Sequence, residues 1–124
     1  MAEGFLKSLD NTIDVFSAGT EPASKVSSKA VKVMNEVGVD ISKQYPKSVD
    51  QFINEDFDYV ITVCDNAKET CPVFIGKVKK RLHIGFEDPY GFIGNEEDKM
   101  NKYREVRDLI MGELNNFYKH YIKV

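Results

Sequence analysis

A chain of 124 residues suits one domain spanning 1–124, with a single hydrophobic core of modest size. Its 42% hydrophobic and 30% charged residues are ordinary for a soluble globular protein, and a net charge of −3 argues against bulk attraction to nucleic acid or anionic membranes. No apolar run approaches the ~20 residues of a membrane span, MAEGFLKSLD lacks the basic and apolar regions of a secretory signal, and two cysteines fit a reducing cytoplasm better than a disulfide-built scaffold.

In chain order, Met1 to Leu9 predicts a short helix with Ala2, Phe5, Leu6 and Leu9 on one side. Ile13-Asp14-Val15-Phe16 carries a short strand signal closed by Ser17-Ala18-Gly19. Val26, Ala30, Val33, Met34 and Val37 then fall at helical spacing. Ser27 or a neighbouring serine is placed to cap that helix, and Gly38 stands where a left-handed residue ends one. Ser48 to Glu55 predicts a second short helix. Tyr59-Val60-Ile61-Thr62-Val63 is the best strand signal, β-branched and almost continuously apolar, as a strand covered on both faces should be. Lys79 to Ile84 is a weaker strand, followed by the turn residues Glu87-Asp88-Pro89-Tyr90-Gly91. In the last segment Tyr103, Val106, Ile110, Leu114, Phe117 and Tyr121 form one apolar stripe, and Asn95 is a candidate cap. Strands alternating with helices imply an α/β layer fold with a parallel sheet. Three strand candidates, two of them weak, are few for such a sheet, a first sign that something is missing.

Cys64 ends the strong strand signal, and Cys71 follows seven residues later in CDNAKETCP. That spacing fits neither a C-x-x-C redox motif nor a zinc site. Two readings stay open. The thiols are buried and incidental, or they form a reversible disulfide across a loop at the carboxyl end of a strand, where open α/β sheets bind ligands. Exchange of that kind needs a thiolate, access and a loop able to move. Lys68 favours a thiolate, and Asp65 and Glu69 oppose it.

Val63-Cys64 with Cys71-Pro72 resembles the paired cysteines of thioredoxin-coupled arsenate reductases, members of the low-molecular-weight tyrosine phosphatase superfamily. Other segments agree in the same order. Met1-Ala2-Glu3-Gly4 resembles the segment directly after the family's catalytic loop, and Ser17-Ala18-Gly19 its S-A-G. AVKVMNEVGVDIS (Ala30 to Ser42) resembles its second helix, Gly85-Phe86-Glu87-Asp88-Pro89 its G-F-D-D-P, and Tyr103 to Leu109 its final helix. The resemblance covers essentially the whole chain. It implies a three-layer low-molecular-weight phosphatase-like α/β fold with a parallel sheet whose first, central strand is missing here.

Family members carry a C-x5-R loop before the M-A-E-G segment, and this sequence starts at that M. The loop supplies a low-pKa sulfur, backbone donors and an arginine around a doubly charged oxyanion. Here the residue six after Cys64 is Thr70 and the residue six after Cys71 is Lys77. The resemblance implies a relay. The loop cysteine attacks arsenate, Cys64 attacks that cysteine and releases arsenite, and Cys71 attacks Cys64. A Cys64–Cys71 disulfide then remains for thioredoxin to reduce. It also implies Asp88 as general acid, although before Pro89 a solvated turn residue is the simpler reading. Glu3, Ser17 and Asp50 match positions that hold a monovalent cation in some members, while Glu3 alone reads as a charge complementing a helix dipole. His83 and His120 stand alone in sequence and read as structural or exposed.

The expectation is therefore a cytoplasmic protein of arsenate-reductase lineage, N-terminally truncated, with thioredoxin as partner and no cofactor. An arsenate- or phosphate-like oxyanion would bind only with the loop present, so these residues alone are expected to be inactive. Tyr90 after Asp88-Pro89 is common in the tyrosine phosphatases and keeps that activity as an alternative. A non-catalytic thiol redox or interaction remnant is another. Without a first strand, Ile13–Phe16 and Tyr59–Val63 are expected to have unpaired edges and exposed apolar faces. Rearranged pairing, or a homo-oligomer covering the gap, should follow.

Overall fold

The computed structural model describes residues 1–18, 27–45, 47–64, 77–87, 89 and 92–122, with Cys64 described by its backbone alone. Among them are three α-helices, α1 (Ala2–Leu9), α2 (Ser28–Glu36) and α3 (Glu96–Phe117), and two strands, β1 (Phe57–Cys64) and β2 (Val78–Phe86). Two compact units form. One contains residues 1–16, 25–45 and 88–124 and holds the helices; the other contains residues 17–24 and 46–87 and holds the strands. No helix among the described residues is long and apolar enough to cross a membrane.

In the helical unit α1 and α2 both pack on α3. Of the predicted stripe, Tyr103, Val106, Ile110, Leu114 and Phe117 are buried on α3, with Val33 and Met34 of α2 and Phe5 and Leu6 of α1 in one core, whereas Tyr121 lies past the end of α3 and is half-buried. Each such side chain contributes roughly 1.5–3 kcal/mol by leaving water. Asn95 caps α3 as predicted: its Oδ1 accepts the Asp98 N–H at 2.8 Å, and Glu96, Glu97 and Asp98 place negative charge at the positive end of the helix dipole. A π-helical turn, Tyr118–Ile122, continues the chain, and Tyr118 donates to Asp10 Oδ2 at 2.8 Å, tying it to the end of α1.

The end of α2 is also as the sequence predicts. Gly38 has φ +80°, the Val39 N–H reaches the Met34 carbonyl at 3.0 Å, and the Gly38 N–H reaches Asn35 at 3.0 Å. These two bonds make a Schellman motif, and buried Val39 and Met34 supply its apolar contact. The chain then turns inward again at Ile41, which is fully buried. Asp40 Oδ1 accepts the Ser42 N–H at 2.9 Å in an Asx-turn. Gly4 lies beneath this loop. A β-carbon there would come within 2.5 Å of Ile41 Cγ2, so only glycine lets α1 approach so closely. The start of α2 departs from expectation. Ser27 is the capping residue by position but makes no side-chain cap bond; its hydroxyl instead bonds Tyr103 Oη at 3.2 Å.

A charged clamp joins α2 to α3. Glu36 accepts from Arg104 Nε at 3.0 Å and Nη2 at 2.8 Å, and from Arg107 Nη1 at 2.8 Å. Arg107 is buried, and the same nitrogen also donates to the Val33 carbonyl at 2.9 Å, which compensates the charge for leaving water. Hydrogen bonding from Arg104, then from Arg107, holds the Glu36 carboxyl down from 4.5 to about 2. A depressed carboxyl stabilises the fold fully above its unfolded value and loses that contribution as pH falls through the folded one. The clamp should therefore weaken from about pH 4.5 down to about 2. Urea midpoints measured through that window should fall for the parent and fall less steeply for Glu36→Gln; parallel curves would show that the clamp does not contribute.

In the strand unit β1 and β2 pair in parallel, Phe57 opposite Val78 and Thr62 opposite His83. Both strands run longer than the sequence signals, which read Tyr59–Val63 and Lys79–Ile84. The expectation that the first is covered on both faces is not met: Tyr59 to Thr62 are half-buried and Val63 is exposed. The predicted helix over Ser48 to Glu55 is a single 3-10 turn, Val49–Gln51, whose Asp50 N–H is taken by Ser48 Oγ at 3.2 Å. The strand predicted at Ile13–Phe16 is not formed: the segment joins no sheet among the described residues, and Phe16 is exposed. An apolar run becomes a strand only by sharing a ladder, and none of the described residues offers it one.

Candidate functional site

The site predicted from sequence centres on the carboxyl end of β1. The strand carries Cys64 to its last position, and there the pairing becomes irregular. Thr62 pairs with His83, but Cys64 pairs with Phe86, so two steps on β1 match three on β2. The extra residue lies in Ile84-Gly85 and makes a bulge in β2. Bulges in parallel pairs are rare, and bulges in general gather beside active sites, where they re-aim a side chain or end the pairing.

One rung before the bulge, two side chains meet. Thr62 Oγ1 lies 2.6 Å from His83 Nδ1 and 3.5 Å from the Leu82 carbonyl. His83, isolated in sequence, thus has a threonine partner 21 residues away on the neighbouring strand. Register brings them together: residues opposite one another in parallel strands place their side chains on the same face. Two signals in the sequence could have found the pair, Thr62 two residues before Cys64 and His83 three before Phe86, but only with the strand register known. On the same face Lys79 Nζ bonds Asp58 at 3.1 Å, both side chains exposed.

Of the residues singled out in the sequence, Cys71 and Asp88 lie outside the described residues, and only the backbone of Cys64 is described. Pro89, after Asp88, is buried, and its carbonyl accepts the Phe92 N–H at 3.2 Å. Glu3 is buried near the start of α1 and bonds Lys7 Nζ at 3.0 Å, one turn along the helix. It belongs to the helical unit, whereas Ser17 and Asp50 are exposed members of the strand unit. Among the described residues no group of three or more His, Cys, Asp or Glu converges as metal ligands. Two open hollows lie elsewhere: about 260 Å³ beside Lys7, Asn11 and residues 13–16, and about 540 Å³ between α2 and α3 beside Lys29, Lys32, Glu96 and Arg104.

The fold is α/β, with a parallel strand pair that ends at Cys64, and sequence comparison names the family. Residues 1–123 match the family of low molecular weight phosphotyrosine protein phosphatases. The chain belongs to that family. Within it, the chain is 42% identical over 118 residues to the arsenate reductase of Halalkalibacterium halodurans, covering 94% of this chain and 84% of the relative. The arsenate reductase of Bacillus subtilis is likewise 42% identical over 118 residues with the same coverage. Among solved structures, an arsenate reductase in the phosphate binding state superposes with a TM-score of 0.76 at 32% identity, over 94% of this chain and 83% of that one. An arsenate reductase in oxidized state gives 0.73 at 31% identity, over 93% and 82%.

Proposed function

We propose that the protein is an arsenate reductase in which Cys64 and Cys71 carry the later, disulfide-exchanging half of the reaction. The observation that supports this most is the agreement with arsenate reductases over nearly the whole chain, 42% identity across 118 residues, with Cys64 closing β1. In this reading Cys64 is held in a disulfide with the family's loop cysteine. The Cys71 thiolate attacks the Cys64 sulfur, the Cys64–Cys71 bond forms, and the loop cysteine leaves as a thiolate. A dithiol of the thioredoxin class then reduces Cys64–Cys71, giving up two electrons and becoming a disulfide itself. Asp88 is the proton donor of the oxyanion step. The working compartment is the reducing cytoplasm, where such a dithiol is kept reduced.

Neither Cys64 nor Cys71 is followed by arginine at the C-x5-R spacing, so the 124 residues alone should bind no oxyanion through such a loop and turn over no arsenate. The test separates the two halves. Purified chain, oxidised and then mixed with reduced thioredoxin, should regain two free thiols by labelling and mass spectrometry. The same chain should show no arsenate-dependent consumption of reductant. Labelling that ignores both oxidant and thioredoxin would sink the relay; arsenate turnover by the chain alone would sink the division of labour.

The phosphatase reading rests on Tyr90 following Asp88-Pro89 and on the family's own description. With the family's loop supplied, it predicts phosphotyrosine hydrolysis indifferent to Cys71→Ser and no thioredoxin-dependent arsenate reduction, and the second of these is an outcome the relay does not allow. We further propose that Ile13–Phe16, with Phe16 55% exposed, is covered by self-association. Light scattering showing a monomer at working concentration would rule that out.

A further inference from the structure

We propose that the bulge in β2 is a pivot that lets Cys64 turn from one sulfur partner to the next while the rest of β1 stays paired; this rests on the relay assigned above. The relay asks one backbone position to present its sulfur to two partners in succession, first the loop cysteine and then Cys71. A continuous ladder fixes the direction of each side chain, because successive residues of a strand alternate between its two faces. A cysteine held in such a ladder would keep one aim. The last residue of β1 is not held that way.

Two features place the pivot at one rung. Before it the ladder is regular: Tyr59, Val60, Ile61 and Thr62 face Lys80, Arg81, Leu82 and His83 in unbroken step. The Thr62 rung is tied by side chains as well, with Thr62 Oγ1 2.6 Å from His83 Nδ1 and 3.5 Å from the Leu82 carbonyl. Beyond it the step is lost. Cys64 faces Phe86, so β2 supplies one residue more than β1 over this stretch. An extra residue interrupts the ladder and is itself left unpaired. Gly85, exposed and without a side chain to pack, suits that place, and Val63 across from the bulge is 37% exposed. Cys64 lies two residues past the tied rung, about 6.6 Å along the strand. It can leave and rejoin β2 by breaking only the pairing past the bulge, a local opening that spares the ladder from Tyr59 to Thr62. Ile84 and Gly85 thus act through Cys64, as positioning residues. The exchange they serve balances: the Cys71 thiolate attacks the Cys64 sulfur, the Cys64–Cys71 bond forms, and the group formerly joined to Cys64 leaves as a thiolate.

The experiment removes the extra residue from the full chain. Deleting Gly85 leaves Phe86 opposite Cys64 and makes the ladder regular. Gly85→Ala keeps the residue count, and with it the bulge, and is the control. A small aromatic disulfide oxidises the chain in two steps. One thiolate of the chain displaces the first aromatic thiolate and forms a mixed disulfide; the other closes the Cys64–Cys71 bond and displaces the second. Closing should slow by about tenfold or more in the deletion variant and stay within about twofold of the parent in Gly85→Ala. Amide exchange gives a reading that needs no variant. In the parent, the β2-facing amides of β1 beyond Thr62 should exchange about tenfold or more faster than those of Tyr59 to Ile61, and in the deletion variant that step should shrink.

Closing at the parent's rate in a folded deletion variant would overturn the proposal, as would parent amides equally protected on both sides of Thr62. Neither readout involves arsenate or thioredoxin. A chain that never closes the bond would defeat the relay and this role with it, whereas one that closes it equally well without the bulge would defeat the pivot alone.

Discussion

Cys64→Ser should abolish thioredoxin-dependent thiol cycling completely, and Cys71→Ser should stop it at a trapped intermediate. The asymmetry follows from the order of exchange. A disulfide bond within the chain needs both sulfurs, so either change prevents it. With Cys71 replaced, Cys64 still attacks an external disulfide and remains joined to half of it, because the resolving thiolate is gone. With Cys64 replaced, Cys71 has no partner in the relay. Mass spectrometry after treatment with a small aromatic disulfide distinguishes the outcomes: a stable adduct on Cys71→Ser, recovered by thioredoxin, and an internal bond without adduct in the parent. If Cys71→Ser still closes and reopens at the parent's rate, the assignment of resolving thiol is wrong.

The second large effect is on stability. Ile41 and Leu114 are 0% and 1% exposed, and each sits where the chain has no freedom to close a gap. Ile41 lies in the turn after the Schellman motif and over Gly4; Leu114 is on the inner stripe of α3. Truncation to alanine removes buried methyl groups and leaves a cavity, so either change should cost about 2–5 kcal/mol and lower the melting temperature by roughly 10 °C or more. Leu109→Ala is the control. That leucine is 56% exposed on the opposite side of α3 and should change stability by no more than about 0.5 kcal/mol. Equal effects at Leu109 and Leu114 would mean that the outer face of α3 is covered in solution, which self-association would explain.

What could be read from the sequence was local. The stripe from Tyr103 to Phe117, the cap at Asn95 and the left-handed Gly38 each rest on residues within a few positions of one another, and each is found. The strand over Tyr59–Val63 was visible because β-branching is a local property too. What could not be read depends on distant partners. Glu36 meets Arg104 and Arg107 across 68 and 71 positions, and the pattern within α3 gives no hint that Arg107 turns inward. Ser27 reads as a cap because nothing near it announces Tyr103, 76 residues on. Ile13–Phe16 has a strand's composition, but a ladder is a property of two segments. The site divides in the same way. Cys64 and Cys71 stood out by type and position, whereas the Thr62–His83 pair exists only through strand register, and the bulge beside Cys64 only through a mismatch in it.

The distribution of buried side chains sets a gradient of local opening. Every fully buried apolar side chain among the described residues, from Phe5 to Phe117, belongs to the helical unit, while the half-buried strands contribute none. Opening free energy scales with the apolar surface that must be exposed, so amide hydrogens of β1 and β2 should exchange with solvent by smaller excursions than those of α2 and α3. Cys64 therefore sits on the more readily opened of the two units. For the relay proposed for Cys64, that placement would let each sulfur exchange proceed while the helical core stays closed.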